Sequence, residues 1–188
     1  DQSLDSRVRE VWLAKMRALE HLGDLKAINA FADEVKAVQA DGRIQLDPEA
    51  NWILAIEARA NKRIGDCMKL LQVYERALAE STPTTRVVEH RIDVLEERVQ
   101  IGKAQNWGPQ FFESTNGMLA RLDPNNTRRF LDQTYFHIDA KDPASALIDV
   151  RNAARIDAQN ELVLRAQAMV RNEQLRPTGS DAASIFNR

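Results

Sequence analysis

Cysteine is nearly absent. Cys67 stands alone, which excludes an internal disulfide and a cysteine-built metal site. Glycine and proline number only 7 and 6 in 188 residues, too few for a turn-rich β protein or a low-complexity linker. No apolar run approaches the roughly 18 residues that a membrane-spanning helix needs. Neither sign of charge dominates: 26 Lys and Arg face 28 Asp and Glu, for a net charge of −2. Division at residue 94 leaves 14 basic against 16 acidic residues before it, and 12 against 12 after it. Bulk charge therefore does not argue for nucleic acid or an anionic membrane. The motifs GxGxxG, GxxxxGK[ST], HExxH and GxSxG are all missing. The first residue is Asp, and no basic segment followed by an apolar stretch opens the chain, so no signal peptide is visible. The sequence alone reads as a processed chain or a piece of a longer one. One cysteine suits cytoplasm and bacterial periplasm alike, so the compartment is unknown.

What the sequence does have is helical periodicity, with almost no strand alternation. Val8, Val11, Trp12, Met16, Leu19 and Leu22 fall three or four apart and predict a first helix over 4–21, ended by Gly23-Asp24. Leu25, Ile28, Phe31, Ala32, Val35 and Val38 predict a second, ended by Asp41-Gly42. Residues 44–47 form a connector, and Pro48 suits the first turn of a third helix running to Ile64. Gly65-Asp66 is the next expected break. Further helices follow, separated at Ser81-Thr82-Pro83, Asn106-Trp107-Gly108-Pro109, Asp123-Pro124-Asn125-Asn126, Lys141-Asp142-Pro143 and Asp157-Ala158-Gln159-Asn160. The last predicted helix covers 161–174, and the segment 176–188 reads as a flexible tail.

The breaks recur. Asp24, Asp66, Asn106 and Asp142 are spaced by 42, 40 and 36 residues, the mark of stacked helical hairpins. Lys141-Asp142, then Ala146, Val150, Ala153 and Ile156-Asp157-Ala158, follow the pattern of a tetratricopeptide repeat, a unit of about 34 residues. Leu54, Ala58, Gly65-Asp66, Tyr74 and Ala77 fit the same template, and Trp12 stands eleven residues before Gly23-Asp24. The chain resembles that family. Lys15, Met16, Gln133 and Thr134 depart from its preferred residues, and the first three units exceed its period, so several helices should carry an extra turn. The resemblance implies an all-α fold, an α-α superhelix of about four units (4–46, 47–83, 84–124, 125–160) with a terminal helix 161–175. A non-repeating bundle of hairpins is the alternative.

The family binds a peptide or partner protein along a concave groove lined by first helices. The resemblance places Trp52, Arg59, Lys62 and Arg63 there, with Arg91, Arg98, Arg128 and Tyr135 at corresponding places, alongside Ala55, Leu131 and Asp139. Arg59, Lys62 and Arg63 suggest a clamp for an acidic or C-terminal segment. Ordinary surface charge paired with Glu57 and Asp66 is the competing reading. Trp107 reads as a turn aromatic packed between helices, or else as an exposed anchor. Arg128, Arg129, Arg151, Arg155, Arg165 and Arg171 are interleaved with Asp132, Asp139, Asp149 and Asp157, so nucleic-acid binding is not favoured. His21, His90 and His137 lie in separate units and suggest no shared metal site. Glu96 and Glu97 point about 100° apart on a helix, which does not suit paired catalytic acids. Cys67 opens a helix, where the dipole can activate a thiol, but a packed small residue is the simpler reading. No catalytic residue, cofactor or metal is expected. The reading is a non-catalytic interaction scaffold, by analogy part of a larger assembly such as a bacterial secretion or envelope machine. A helical regulatory domain holding a small molecule or lipid between helices is the alternative, and a closed apolar cavity would support it.

Overall fold

The computed structural model describes residues 2–42 and 48–175; the expected connector at 44–47 and tail at 176–188 lie outside them. The described residues form nine helices and no strand. They are α1 (Gln2–Leu22), α2 (Leu25–Asp41), α3 (Glu49–Ala60), α4 (Ile64–Glu80), α5 (Thr85–Ala104), α6 (Pro109–Leu122), α7 (Thr127–Asp139), α8 (Pro143–Ile156) and α9 (Glu161–Leu175). The chain divides into two compact units, the first ending at Ile101 and the second beginning at Gly102. The expected extra turns are present: α1, α2, α4 and α5 have 21, 17, 17 and 20 residues, against 13 to 15 in α6 to α9.

Four turns share one backbone device. Gly23, Lys62, Asn106 and Lys141 all take positive φ, between 52° and 70°. The N–H after each reaches back to the carbonyl five residues earlier: Asp24 to Leu19, Arg63 to Ala58, Trp107 to Gly102 and Asp142 to His137. This is the Schellman stop, which caps the last carbonyls of a helix by a left-handed residue. Asp24 and Asp142 then start the next helix by accepting the N–H groups of Ala27 and Ser145 at 2.9 and 3.0 Å. One expected break is misplaced. Gly65 and Asp66 lie inside the first turn of α4, and the chain reverses at Asn61-Lys62-Arg63 instead. Helix α3 therefore ends at Ala60 rather than Ile64, and Pro48 sits just before it rather than in its first turn.

A second device occurs twice. The Asn126 amide donates to the Asp123 carboxylate at 2.7 Å and its oxygen accepts the Arg128 N–H at 3.1 Å. Asn160, Asp157 and Leu162 repeat this 34 residues later, at 3.3 and 3.0 Å.

In the first unit α3 packs against α1, α2 and α4. Its centre is Trp52, Ile53 and Ile56 of α3, with Met16, Ile28, Val35, Leu71 and Tyr74 fully buried around them. In the second unit α7 packs against α6, α8 and α9. Leu131, Ile138, Val150, Val163 and Val170 form its core, and the buried Ala146, Ala153 and Ala166 let the helices approach closely. Gly102 is needed for close packing too, since a Cβ there would lie 2.6 Å from the Phe111 ring.

Candidate functional site

The residues expected to form a basic clamp lie mostly in the first unit, and most of them are already engaged. Arg59 donates to both Glu20 oxygens at 2.8 and 2.6 Å, and to Glu97 at 2.6 Å. It thereby ties α1, α3 and α5 together. Burial alone would lower the Arg59 pKa, but the hydrogen bond to Glu20 and the charges of Glu97 and Glu20 outweigh it and raise it. Trp52 is only 1% exposed, and its indole N–H donates to Glu97 at 2.9 Å. The Arg17 guanidinium sits 4.2 Å from the Trp52 ring centre and pairs with Asp93 at 3.5 Å. Arg63 forks onto the buried Glu57 at 2.6 and 2.5 Å and reaches Asp66 at 3.3 Å. Arg91 donates to Glu75 at 2.8 and 3.2 Å.

Trp52 is thus core, and Arg59, Arg63 and Arg91 brace the unit through carboxylates rather than standing open for an acidic segment. Arg98 is half-buried and desolvation lowers its pKa, partly offset by Glu75. Lys62 is exposed on its left-handed turn. Cys67 is buried, and burial together with the Glu97 charge pushes its thiol up to about 11, against the pull of Arg59. It is a packed residue and not an activated nucleophile.

The histidines are separate. His90 is 2.8 Å from the Tyr74 hydroxyl, His137 is 2.7 Å from Asp149, and His21 is exposed. No group of three metal-binding side chains exists among the described residues, and none of their helices is long and apolar enough to cross a membrane. Trp107 packs edge-on to Phe111 with ring centres 4.8 Å apart, as expected of a turn aromatic.

The second unit holds a different arrangement. A cavity of about 240 Å³ opens beside α7. One helical stripe of α7 lines it, because Asp132, Tyr135, Phe136 and Asp139 are spaced three, four and seven apart. Phe112 and Asn116 of α6 line it opposite, and Lys103 from the end of α5 stands at its side. Lys103 and Asp139 are exposed, while Asp132 and the rings are half-buried. Asn116 is only 8% exposed. Among the described residues, the side chains of Lys103, Asn116, Asp132, Tyr135 and Asp139 have no hydrogen-bond or ion-pair partner. Two carboxylates against one lysine leave the cavity acidic. Arg128 begins the same stripe but does not line the cavity, and Leu131 is core. Tyr135 and Asp139 are therefore the expected groove positions that meet in one concavity. Asp132, Phe136, Phe112, Asn116 and Lys103 complete it and were not expected there; helical spacing from Tyr135 and Asp139 could have found Asp132 and Phe136, and the others need the tertiary fold.

Comparison with known families, curated proteins and solved structures gives no match: no family model fits the chain, and no curated protein or solved structure is detectably similar.

Proposed function

We propose that the chain is a non-catalytic interaction module, a tetratricopeptide-like array of helical hairpins that holds a segment of a partner protein against α6 and α7. The four Schellman turns and the Asp-Asn turn repeated after 34 residues support the repeat reading, since that interval is the family's own period. The observation that carries the binding reading is the α7 stripe: carboxylates and a tyrosine without internal partners, beside aromatic rings in one concavity. Charged and polar groups that face one concavity and make no internal bond are available to a ligand from outside, at the cost of displacing only water. The cavity is below the roughly 300 Å³ at which small-molecule pockets begin, and its exposed rim is polar. That suits a side chain of a partner better than an enclosed cofactor or lipid.

The test is capture of partners from the native cell by immobilised full chain, comparing wild type with Tyr135→Ala/Phe112→Ala. Circular dichroism on both monitors the fold. A discrete protein retained by wild type and lost by the folded variant is expected. Equal retention by both sinks the α6–α7 assignment.

A further inference from the structure

The cavity's chemistry specifies what enters it. We propose that it seats an arginine side chain of the partner, an inference that rests on the interaction reading above. Four features converge on a guanidinium. First, Asp132 and Asp139 supply two negative charges with no internal cation on either. Second, they flank Tyr135 and Phe136. Two helical turns separate the acids, about 10.5 Å along the axis. A planar cation over the intervening rings is attracted by the ring faces and by the field of both carboxylates, while pairing directly with one. Third, Asn116 is more than nine-tenths buried, lines the same cavity and has no hydrogen-bond partner among the described residues. Its amide atoms are not sealed from solvent but open on the cavity, where the oxygen can accept from an entering donor. Guanidinium has five N–H donors in a rigid fork, enough to serve Asn116 and one carboxylate together, whereas ammonium is a point charge on a flexible stem. Fourth, the volume, about 240 Å³, suits one long side chain.

Lys103 is the opposing element. It lines the cavity without bonding either acid, so it repels an incoming cation while it remains there. Its removal should strengthen binding. A cavity built for an acidic guest would behave in the opposite sense.

The probes are four peptides, Ac-Gly-Gly-X-Gly-Gly-NH2, with X arginine, citrulline, lysine or glutamate, titrated into the full-length chain. Binding is read from amide shifts in two-dimensional NMR, including the Asn116 side-chain amide. The arginine peptide is expected to bind at least fivefold more tightly than its neutral isostere citrulline, and more tightly than lysine, with glutamate weakest. Asp132→Asn/Asp139→Asn should reduce the arginine affinity at least fivefold, and Lys103→Ala should raise it. Citrulline or lysine binding as well as arginine overturns the guanidinium assignment, yet leaves the cavity a partner site. Tighter glutamate binding, or weaker arginine binding in Lys103→Ala, reverses the sign of the charge recognised and overturns it as well. Shifts from no peptide overturn it too, and the capture experiment then decides separately whether α6 and α7 bind a partner at all.

Discussion

One charge cluster in each unit is used in the opposite way from the other, although the second unit also holds internal pairs such as His137–Asp149. In the first, Arg59 is held by Glu20 and Glu97, Arg63 by Glu57, and Arg91 by Glu75, so the cations meet carboxylates from the same unit. In the second, Asp132 and Asp139 line a concavity and bond to nothing among the described residues. A paired charge inside a fold fixes helices relative to each other, and removing one partner strands the other. An unpaired charge at a cavity is held in place without contributing to that bracing. Residue type alone does not separate the two roles; the difference lies in whether the opposite charge is supplied from within.

The sharpest way to break this comparison is at Arg59. Arg59→Ala leaves Glu97 buried with only the Trp52 N–H, and Glu20 without its fork. Because these side chains are partly screened, the loss should be about 2–4 kcal/mol in urea unfolding. The pH dependence adds a check. Burial raises the Glu97 pKa, partly opposed by the Arg59 charge and the Trp52 hydrogen bond, so removing Arg59 raises it further. An acid raised in the folded state is destabilising once ionised, and stability falls as pH rises through that folded value. The deficit of Arg59→Ala should therefore be smaller at pH 5 than at pH 8. A deficit below 0.5 kcal/mol at both values would falsify the view that these ion pairs brace the first unit.

A smaller effect is expected at His90, whose pKa is lowered by burial and then by the Arg86 charge. The unfolded chain takes up the proton near pH 6.5, before the folded chain does. Stability contributed by neutral His90 is thus present above that value and lost as pH falls below it. The urea midpoint of wild type should drop between pH 7.5 and 5.5, and His90→Asn should flatten that drop. An unchanged slope in a folded variant would remove His90 as its cause.

Lys62 and Lys141 give a still smaller effect with the other sign. Both take the left-handed conformation that Gly23 adopts at the equivalent turn. Lys62→Gly and Lys141→Gly should each stabilise by about 0.5–1 kcal/mol, the relief of the Cβ clash less the extra chain entropy of glycine. Thermal midpoints of the two variants are the measurement, and a fall in both would show that these turns carry no such strain.

These turns also mark how far the sequence speaks. Helix existence was legible because apolar residues recur three and four apart, as in Ile28, Phe31, Ala32 and Val35. The turn after α3 was misread because Gly65 looks like a stop, while the left-handed residue is Lys62, a type that rarely takes that conformation. The Arg59 network was hidden for another reason. Its partners lie 38 and 39 residues away on two other helices, and no local pattern predicts that they meet. The α7 stripe was only half legible: spacing picked Tyr135 and Asp139 but set Arg128 and Leu131 beside them instead of Asp132 and Phe136, and counting charge made the acids look like mere neutralisers of the nearby arginines. Only the tertiary structure shows Asp132 and Asp139 with no arginine attached, and Asn116 brought beside them from α6.

The smallest stability effect is expected where the binding effect is largest. Asp132→Asn/Asp139→Asn changes charge but hardly shape, and no internal ion pair is lost. Stability should stay within about 0.5 kcal/mol of wild type, as for surface changes that break no contact. The same variant should lose arginine-peptide binding, whereas Arg59→Ala, far more destabilising, should keep it under conditions where it stays folded. This crossed pattern separates the two uses of charge within one protein. If the double asparagine variant instead loses more than about 1 kcal/mol, the α7 acids are structural after all, because only a lost internal interaction produces a deficit of that size. The contrast between the units would then collapse, whatever the peptides do.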